Sequence, residues 1–391
     1  MDHNLYSNSK SWKNHCINTC KKNKIPLIIE KIFYDLKKIS EEVLRIKRYN
    51  LIYKHLYFDE ILLTGHHLND QCETLILALK RGSGPTGISG MSKKNNLGEK
   101  KIIRPLLKET KKELKKWAQK NNLTWIKDFS NYNINHDRNF IRHKIIPILE
   151  KRWPFFLRNC FRTTTICKQE VKLKNIFLEK KIKNFINSSN DLNIKKFNQM
   201  PKEIVKELIR YWILSKNVKA PSYKIIKCIY KEVIFSKKDA NPKIIIQKNT
   251  IRRYKNFLYF IKNQEKINNI LLFWHDTEKK INLPNNLGYL VKNNQGIKIP
   301  APKKSQLINI RFQHEGKILI LGRDKRRKMK KIWQEHNVPP WFRNQIPLLF
   351  YDDYFISALG IFTVINEKKY KNSWRISWIN KIKNNNSFLF Y

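Results

Sequence analysis

The stretch EILLTGHHLNDQCETLILALKRGSG (60–84) constrains this chain more than any other. A short apolar run stops at Gly65, four of the next five residues are polar, and a second apolar segment follows at once. That order fits a strand, a loop and a helix begun by a capping Asn69 or Asp70. Leu75, Ile76, Leu77 and Leu79 leave the second segment little polar face, so residues 71–80 are expected as a helix packed on both sides. Such a helix belongs in a layered α/β arrangement. Its preceding loop then lies at the carboxyl end of a strand, where open parallel sheets bind ligands.

The flanking sequence extends this unit. IPLIIEKIF (26–34) is a β-branched run of strand length, and Ser40, Glu41 and Glu42 open a helix carrying Val43, Ile46, Tyr49, Tyr53 and Leu56 at helical spacing. KIIRPLL and LTWIKD read as strands separated by the helix KETKKELKKWAQKNN. Alternation of this kind predicts a parallel sheet with helices on its faces. The pattern changes after about residue 155. Residues 156–217 read as long helices, EIVKELIRYWIL most clearly, and PSYKIIKCIYKEV starts another after Pro221-Ser222. KIIIQKNTIRRYKNFLYFI reads as a hairpin turning at Lys248-Asn249. Residues 264–310 are short strands among Asn-, Pro- and Gly-rich turns. A basic helix, a Pro-Pro-Trp turn and the strands PLLFYD and YFISALGIF complete the chain.

Eighty Lys and Arg against 31 Asp and Glu give a formal charge of +49, which attracts polyanions, nucleic acid above all. Lys, Asn and Ile crowd the whole chain, however, a pattern that A/T-rich codons produce without selection for RNA. The informative basic residues are therefore those beside aromatics. Hydrophobic residues at 41% exclude a disordered class. No apolar run approaches a membrane span, and the first residues carry no signal-peptide core, so a cytosolic, membrane-free protein is expected. The six cysteines form no CxxC pair. His15, Cys16 and Cys20 lie close on one helix, but a zinc site needs four ligands and no second cluster is near, so they read as half-buried helix residues.

Four constellations carry polar chemistry. His66, His67, Asn69 and Asp70 follow the strand 60–65, and Asp70 and Glu73 lie on neighbouring faces of one turn, where they could share a nucleotide's Mg²⁺. The plainer reading, a capping Asp with histidines filling a turn, stays open on spacing alone. KRGSGPTG closes the helix, with Arg81 suited to a phosphate or simply solvated beside a glycine-rich cap. In WIKDFSNYNINHDRNFIRHKIIPIL, Asp128 follows an expected strand, and Asp137, Arg138, Asn139 and Arg142 precede an apolar helix. They suit a polar substrate such as an amino acid, or only a cap and an exposed basic pair. Finally, Lys325, Arg326, Arg327, Lys328, Lys330 and Lys331 cluster beside Trp333 and Trp341, which suits an RNA backbone with stacked end bases, or a solvated basic helix.

TGHHLNDQCETLILALKRGSGPTGISGM, RPLL, DFSN followed by DRNFIR, and the terminal GR…KKIWQEHNVPPWFR…PLLFY resemble the bacterial tRNA(Ile)-lysidine synthases, within the N-type ATP pyrophosphatases. SWKNHCINTCKKNKIPLIIEKI and EEVLRIKRY share the likeness, which runs over almost the whole chain. The resemblance implies a Rossmann-like, adenine nucleotide alpha hydrolase-like sheet in residues 1–188 with linker helices. A helical middle tRNA-binding domain (189–263) and a small α+β C-terminal tRNA-binding domain (264–391) would follow. It implies ATP with Mg²⁺, free L-lysine and an isoleucine tRNA with a CAU anticodon. ATP adenylates the C2 oxygen of the wobble cytidine, and the lysine ε-amine then displaces AMP. By position, His66, His67 and Asp70 would line the nucleotide and cytidine crevice, Asp70 being the candidate Mg²⁺ ligand. Arg81 and Arg138 would stabilise phosphate charge, and Asp137 would hold the lysine amine or Mg²⁺. Glu73, Asp128, Asn131, Asn139 and Arg142 would complete the crevice, and residues 322–343, with Trp341 and Arg343, would lie near the acceptor stem. The oligomeric state stays open, a homodimer included.

One departure is large. The family opens with a strand and an SGGxDS-type loop whose backbone N–H groups cradle pyrophosphate. Here no Gly precedes Gly65, and residues 2–12 match the stretch after the family's second strand. The absent strands would sit between 26–34 and 60–65, and their loss would expose sheet edges, so either the true start lies upstream of Met1 or the gene is decaying; the intact downstream motifs favour the upstream start. Lys127 also stands where the family usually has an acidic residue, and Asn4 where it usually has Gly. The competing readings are a non-catalytic tRNA-binding relic and a tRNA thiolase of the same superfamily. No cysteine here is placed as thiolases require.

Overall fold

The computed structural model describes residues 9–31, 41–237, 240–262, 265–320, 324–364 and 372–379. The chain divides into two compact units, residues 1–176 and 177–391.

In the first unit, helices α1 (Ser9–Lys22) and α2 (Glu41–His55) and strand β1 (Ile61–Leu63) precede helix α3 (Leu68–Lys80). A single helical turn, α4 (Pro85–Ile88), leads into the hairpin of β2 (Lys94–Leu97) and β3 (Lys100–Ile103). β3 is central in a sheet ordered β1-β3-β2, parallel to β1 with Leu62 opposite Ile102, and antiparallel to β2. The parallel pair with α3 between its strands is the crossover expected from the alternation.

Two expected strands are not seen among the described residues, although Lys31 makes a single β-bridge. Residues 25–30 run without strand pairing, and residues 32–34 of IPLIIEKIF lie outside the described residues, as does Ser40. LTWIKD (123–128) is irregular too. Apolar, β-branched composition makes a strand only where a neighbour completes the hydrogen-bond ladder. These segments leave apolar side chains in solvent, Ile28 at 62% and Trp125 at 46% exposure.

Helix α5 (Lys111–Lys120) is started by Thr110, whose hydroxyl accepts from the Glu113 N–H while the Glu113 carboxylate returns a bond to the Thr110 N–H. After it, α6 (Asp137–Phe140), a π-helical turn (141–145) and α7 (Ile146–Arg152) run on as one rod, followed by the long α8 (Phe156–Ile182). The core joins Leu68, Cys72 and Leu75 of α3 to Ile141, Ile146, Leu157 and Cys160. α3 is covered on both sides as expected: Gln71 and Glu73, on opposite faces, are both buried along with Leu68, Cys72, Leu75 and Ala78, and only the last turn emerges, with Leu79 exposed.

The second unit begins with β4 (Leu192–Asn193), α9 (Lys202–Leu214) and α10 (Tyr223–Cys228), the last capped by Ser222. Strands β5 (Lys243–Ile246), β6 (Asn249–Tyr254) and β7 (Phe257–Lys262) form a sheet ordered β4-β7-β6-β5. Val205, Leu208, Ile209, Trp212 and Ile213 recur at helical spacing on α9 and are buried against it. The hairpin turns at Gln247-Lys248, not Lys248-Asn249, since Ile246 pairs with Asn249; a second turn at Lys255-Asn256 adds β7.

Next come β8 (Leu272–Phe273), β9 (Ile281–Asn282), β10 (Tyr289–Pro300), β11 (Ile308–Arg311), β12 (Lys317–Ile318) and β13 (Arg327–Lys328). Helix α11 (Met329–Glu335) and strands β14 (Leu348–Tyr351), β15 (Tyr354–Ala358), β16 (Phe362–Thr363) and β17 (Ser373–Ile379) follow. The sheets β16-β15-β14-β11-β8 and β17-β10-β9 share a core that includes Leu290, Ile310, Leu349 and Ile376. The chain is thus α/β at its start, helical with a small sheet in the middle and β-rich at its end. Among the described residues no helix is long and apolar enough to cross a membrane.

Candidate functional site

The loop after β1 is held by reciprocal bonds. His67, in extended backbone, is the N-cap of α3: its Nδ1 accepts from the Asp70 N–H at 3.4 Å, and the Asp70 carboxylate accepts the His67 N–H at 3.0 Å. The helix is therefore capped by His67, with Asp70 closing the box from the first turn, where a carboxylate also suits the helix dipole. His66 Nδ1 lies 2.9 Å from the Thr64 hydroxyl. Burial pushes both imidazoles below their ordinary pKa; the Asp70 charge opposes this, while Arg104, Arg45 and Arg138 reinforce it at His66. Asn69 ties the loop to α5, its side-chain oxygen accepting the Lys111 N–H at 2.8 Å.

One turn along α3, Glu73 has no exposed surface. Its two oxygens accept Arg138 Nε at 2.7 Å, Arg142 Nε at 2.6 Å and Arg142 Nη2 at 3.0 Å. Both guanidinium groups also stand 3.5 Å from Asp70 Oδ1. The spacing of 138 and 142 puts both arginines on one face of the rod, and buried Glu73 fixes their planes. Each arginine side chain keeps about a fifth of its surface exposed, 22% and 19%.

The 128–139 segment is braced from below. Asp128 follows an irregular stretch rather than a strand, and its carboxylate accepts the Ser130 N–H at 2.9 Å and hydroxyl at 2.7 Å. Buried Asn139 donates to the Ser130 and Asn133 carbonyls, and Asn131 accepts Arg142 Nη1 at 3.1 Å. Asp137 lies at the other end of α3, paired with Lys80 Nζ at 2.5 Å, with both side chains more than half exposed. Exposed Arg81, eleven residues beyond Asp70, lies about 16 Å farther along the axis. The structure thus gathers His66, His67, Asp70, Glu73, Arg138, Arg142 and Asn131, and sets Arg81 and Asp137 apart from them.

Asp70 and Glu73 do not share a cation site. Both Glu73 oxygens are taken by guanidinium N–H groups, and a cation at Asp70 would face two arginines. Among the described residues no group of three His, Cys, Asp or Glu side chains is placed to hold a metal, Cys16 and Cys20 included. Two basic residues not singled out from the sequence belong to the neighbourhood. Arg104 of RPLL is buried and donates to the Ser92 carbonyl at 2.8 Å. Lys111 is exposed overall, yet desolvation and then Arg142 lower its ammonium pKa. With Arg45, five cations face two carboxylates, so the site favours anions.

In the C-terminal basic segment, Lys325, Arg326, Lys328, Lys330 and Lys331 are exposed, while Arg327 pairs with Glu335. Their aromatic neighbours are not free to stack on bases. Met329, Ile332 and Trp333 form the inner face of α11, and Trp333 packs on Phe362 at 5.3 Å. Trp341 lies edge-on to Tyr254 and Tyr259, at 6.3 and 5.3 Å, with Arg252 over its ring at 5.4 Å. Half-buried Arg343 donates to the Val338 carbonyl at 3.2 Å.

Residues 1–149 match the PP-loop domain family, 192–259 the TilS substrate binding domain and 308–378 the TilS substrate C-terminal domain. A protein of Buchnera aphidicola subsp. Schizaphis graminum named tRNA(Ile)-lysidine synthase is 66% identical over all of this chain and 89% of its own length. A protein of the same name from Serratia proteamaculans is 36% identical over 97% of this chain and 88% of its own. A solved U34-tRNA thiolase from Methanococcus maripaludis matches loosely, with a TM-score of 0.34 and 17% identity over 40% of this chain and 55% of that one, and carries no weight.

Proposed function

The chain belongs to the tRNA(Ile)-lysidine synthase family, an ATP-using ligase family, and on that premise we propose that it joins free L-lysine to C2 of the wobble cytidine of a CAU-anticodon isoleucine tRNA. The cytidine C2 oxygen attacks the α-phosphorus of ATP and pyrophosphate leaves. The lysine ε-amine then attacks C2, loses a proton, and AMP leaves. The observation that carries the reading is the Glu73 fork: a buried carboxylate aims Arg138 and Arg142 beside Asp70 and two neutral imidazoles.

In this scheme Arg138 and Arg142, both partly exposed and held by Glu73, supply positive charge for phosphate, a preorganised electrostatic role. His66, kept neutral by burial, can accept the proton released by the attacking amine, while the Nδ1 lone pair of His67 is held by the Asp70 N–H. Asp137 supplies a carboxylate for an amino group, and the ammonium it now holds is Lys80's own. That pair is exposed and readily exchanged. Arg81 serves a more distant phosphate. No step is assigned to Mg²⁺, because the carboxylates present do not form its site. The exposed cations of 325–331 contribute attraction for the tRNA backbone.

The test is incorporation of labelled lysine into tRNA(Ile) transcript by the purified chain, with AMP and pyrophosphate measured in parallel. The reading expects one AMP and one pyrophosphate per lysine, and loss of all three in Arg138→Ala. Tight tRNA binding without AMP release in the unaltered chain would leave only a tRNA-binding protein.

A further inference from the structure

The face of α3 turned away from Glu73 floors a second, separate cavity. Gln71 is 2% exposed, and its amide clamps two segments. Its oxygen accepts the Met91 N–H at 2.8 Å, while its nitrogen donates to the Met91 carbonyl at 3.2 Å and to the Thr164 hydroxyl of α8 at 3.1 Å. Gly90, at φ +61°, lies against this amide so closely that a Cβ would come within 2.7 Å of it. Above the clamp opens a cavity of about 170 Å³ whose rim carries Lys93, Lys108 and Lys168. The three lysines come from three separate segments, all are exposed, and among the described residues none of them forms an ion pair. Arg162 and Arg158 continue the charge along α8, where an open groove is lined by Phe155, Arg158, Asn159 and Arg162. From 158 to 168 the helix rises about 15 Å, roughly four phosphates at the ~3.4 Å axial spacing of one duplex strand.

Three lysines around the cavity, with Arg162 and Arg158 along the adjoining groove (Arg158 also meets Glu113 at 3.4 Å), match a polyanion of regular charge spacing. We propose that this groove binds the sugar–phosphate backbone of the RNA substrate, next to the α3 site but on its other side. The proposal rests on the tRNA reading above. A free phosphate or pyrophosphate shares the same chemistry, and the experiment separates the two sources.

The full chain carrying Lys93→Gln, Lys108→Gln and Lys168→Gln together is titrated with tRNA(Ile) transcript between about 50 and 200 mM salt. The same three positions changed to Arg serve as the charge-retaining control, and thermal melting checks the fold. The Gln variant is expected to bind about ten-fold more weakly, with a log K against log salt slope shallower by about two, and the Arg variant to restore both. Inorganic pyrophosphate binding, followed by calorimetry, should be the same in all three proteins. Unchanged tRNA affinity and slope in the Gln variant overturn the groove alone. Loss of pyrophosphate binding with tRNA affinity intact makes it a free-phosphate site and overturns the RNA assignment. An unaltered chain that binds no tRNA overturns the functional reading, and the groove with it.

Discussion

Glu73→Gln should be the most damaging single substitution in the first unit. Glutamine keeps the volume but removes the charge that two guanidinium groups share, and it turns an amide donor toward donors. Three bonds of 2.6 to 3.0 Å are lost or weakened around a side chain with no exposed surface. Removing one partner of a buried ionic group costs about 3–5 kcal/mol, because the others stay buried without compensation. Here two cations remain, and they repel each other. For a unit of this size 1 kcal/mol moves the melting temperature by about 2–4 °C. The transition of residues 1–176 should therefore fall by about 6–20 °C in differential scanning calorimetry of the full chain. Arg142→Ala should cost less, and Arg138→Ala least, since Arg142 makes two of the three bonds. The exposed change Glu170→Gln in the same unit is the control and should move the melt by less than about 2 °C. A Glu73→Gln melt within that same margin would refute the fork as the anchor of the site.

Three further outcomes are expected. Because burial lowers the His66 and His67 pKa values from 6.5, the unfolded chain takes up protons that the folded one refuses. The stability they contribute above pH 6.5 is lost as pH falls toward the lower folded values, and His66→Gln with His67→Gln should flatten the melting temperature against pH below 6.5. Burial raises Asp191 from 3.8 to about 6, so its folded state is favoured at low pH and loses that advantage as pH rises through 6. Asp191→Asn should therefore raise the stability of residues 177–391 at pH 7.5 by about 3 kcal/mol, measured by denaturant titration, with little gain below the ordinary pKa. Trp341→Ala should destabilise the same unit by about 2 kcal/mol through lost contact with Tyr254 and Tyr259. A drop in tRNA affinity with no change in stability would instead restore base stacking as its role.

The site was legible where a few residue types of unlike chemistry stood at fixed spacing. Strand 61–63, the polar loop, α3 and the paired arginines of DRNFIR all follow from periodicity and charge. The partners of those charges were not legible, because Glu73 meets Arg138 across 65 residues and only packing decides it. His67 as the cap was missed, since cap preference points to Asn or Asp. Lys111 and Arg104 carried no signal against so basic a background. Trp333 could have been found: Met329, Ile332 and Trp333 sit at helix-core spacing, but the lysines beside them suggested a surface. IPLIIEKIF and LTWIKD have strand composition without strand pairing, and no local pattern reports the neighbour a ladder needs.

The Glu73 fork also bears on how this chain can drift. Its surface has filled with Lys, Asn and Ile, and exposed positions tolerate such exchange at little cost. A glutamate codon becomes a lysine codon through one base change in the A-ward direction. At exposed glutamates such as Glu170 and Glu203 that step adds one more cation to a solvated face. At Glu73 it would set a third cation between Arg138 and Arg142 at a position with no exposed surface. A mutational drift toward lysine would therefore meet a fixed point in the interior of this unit, where a carboxylate is expected to be kept.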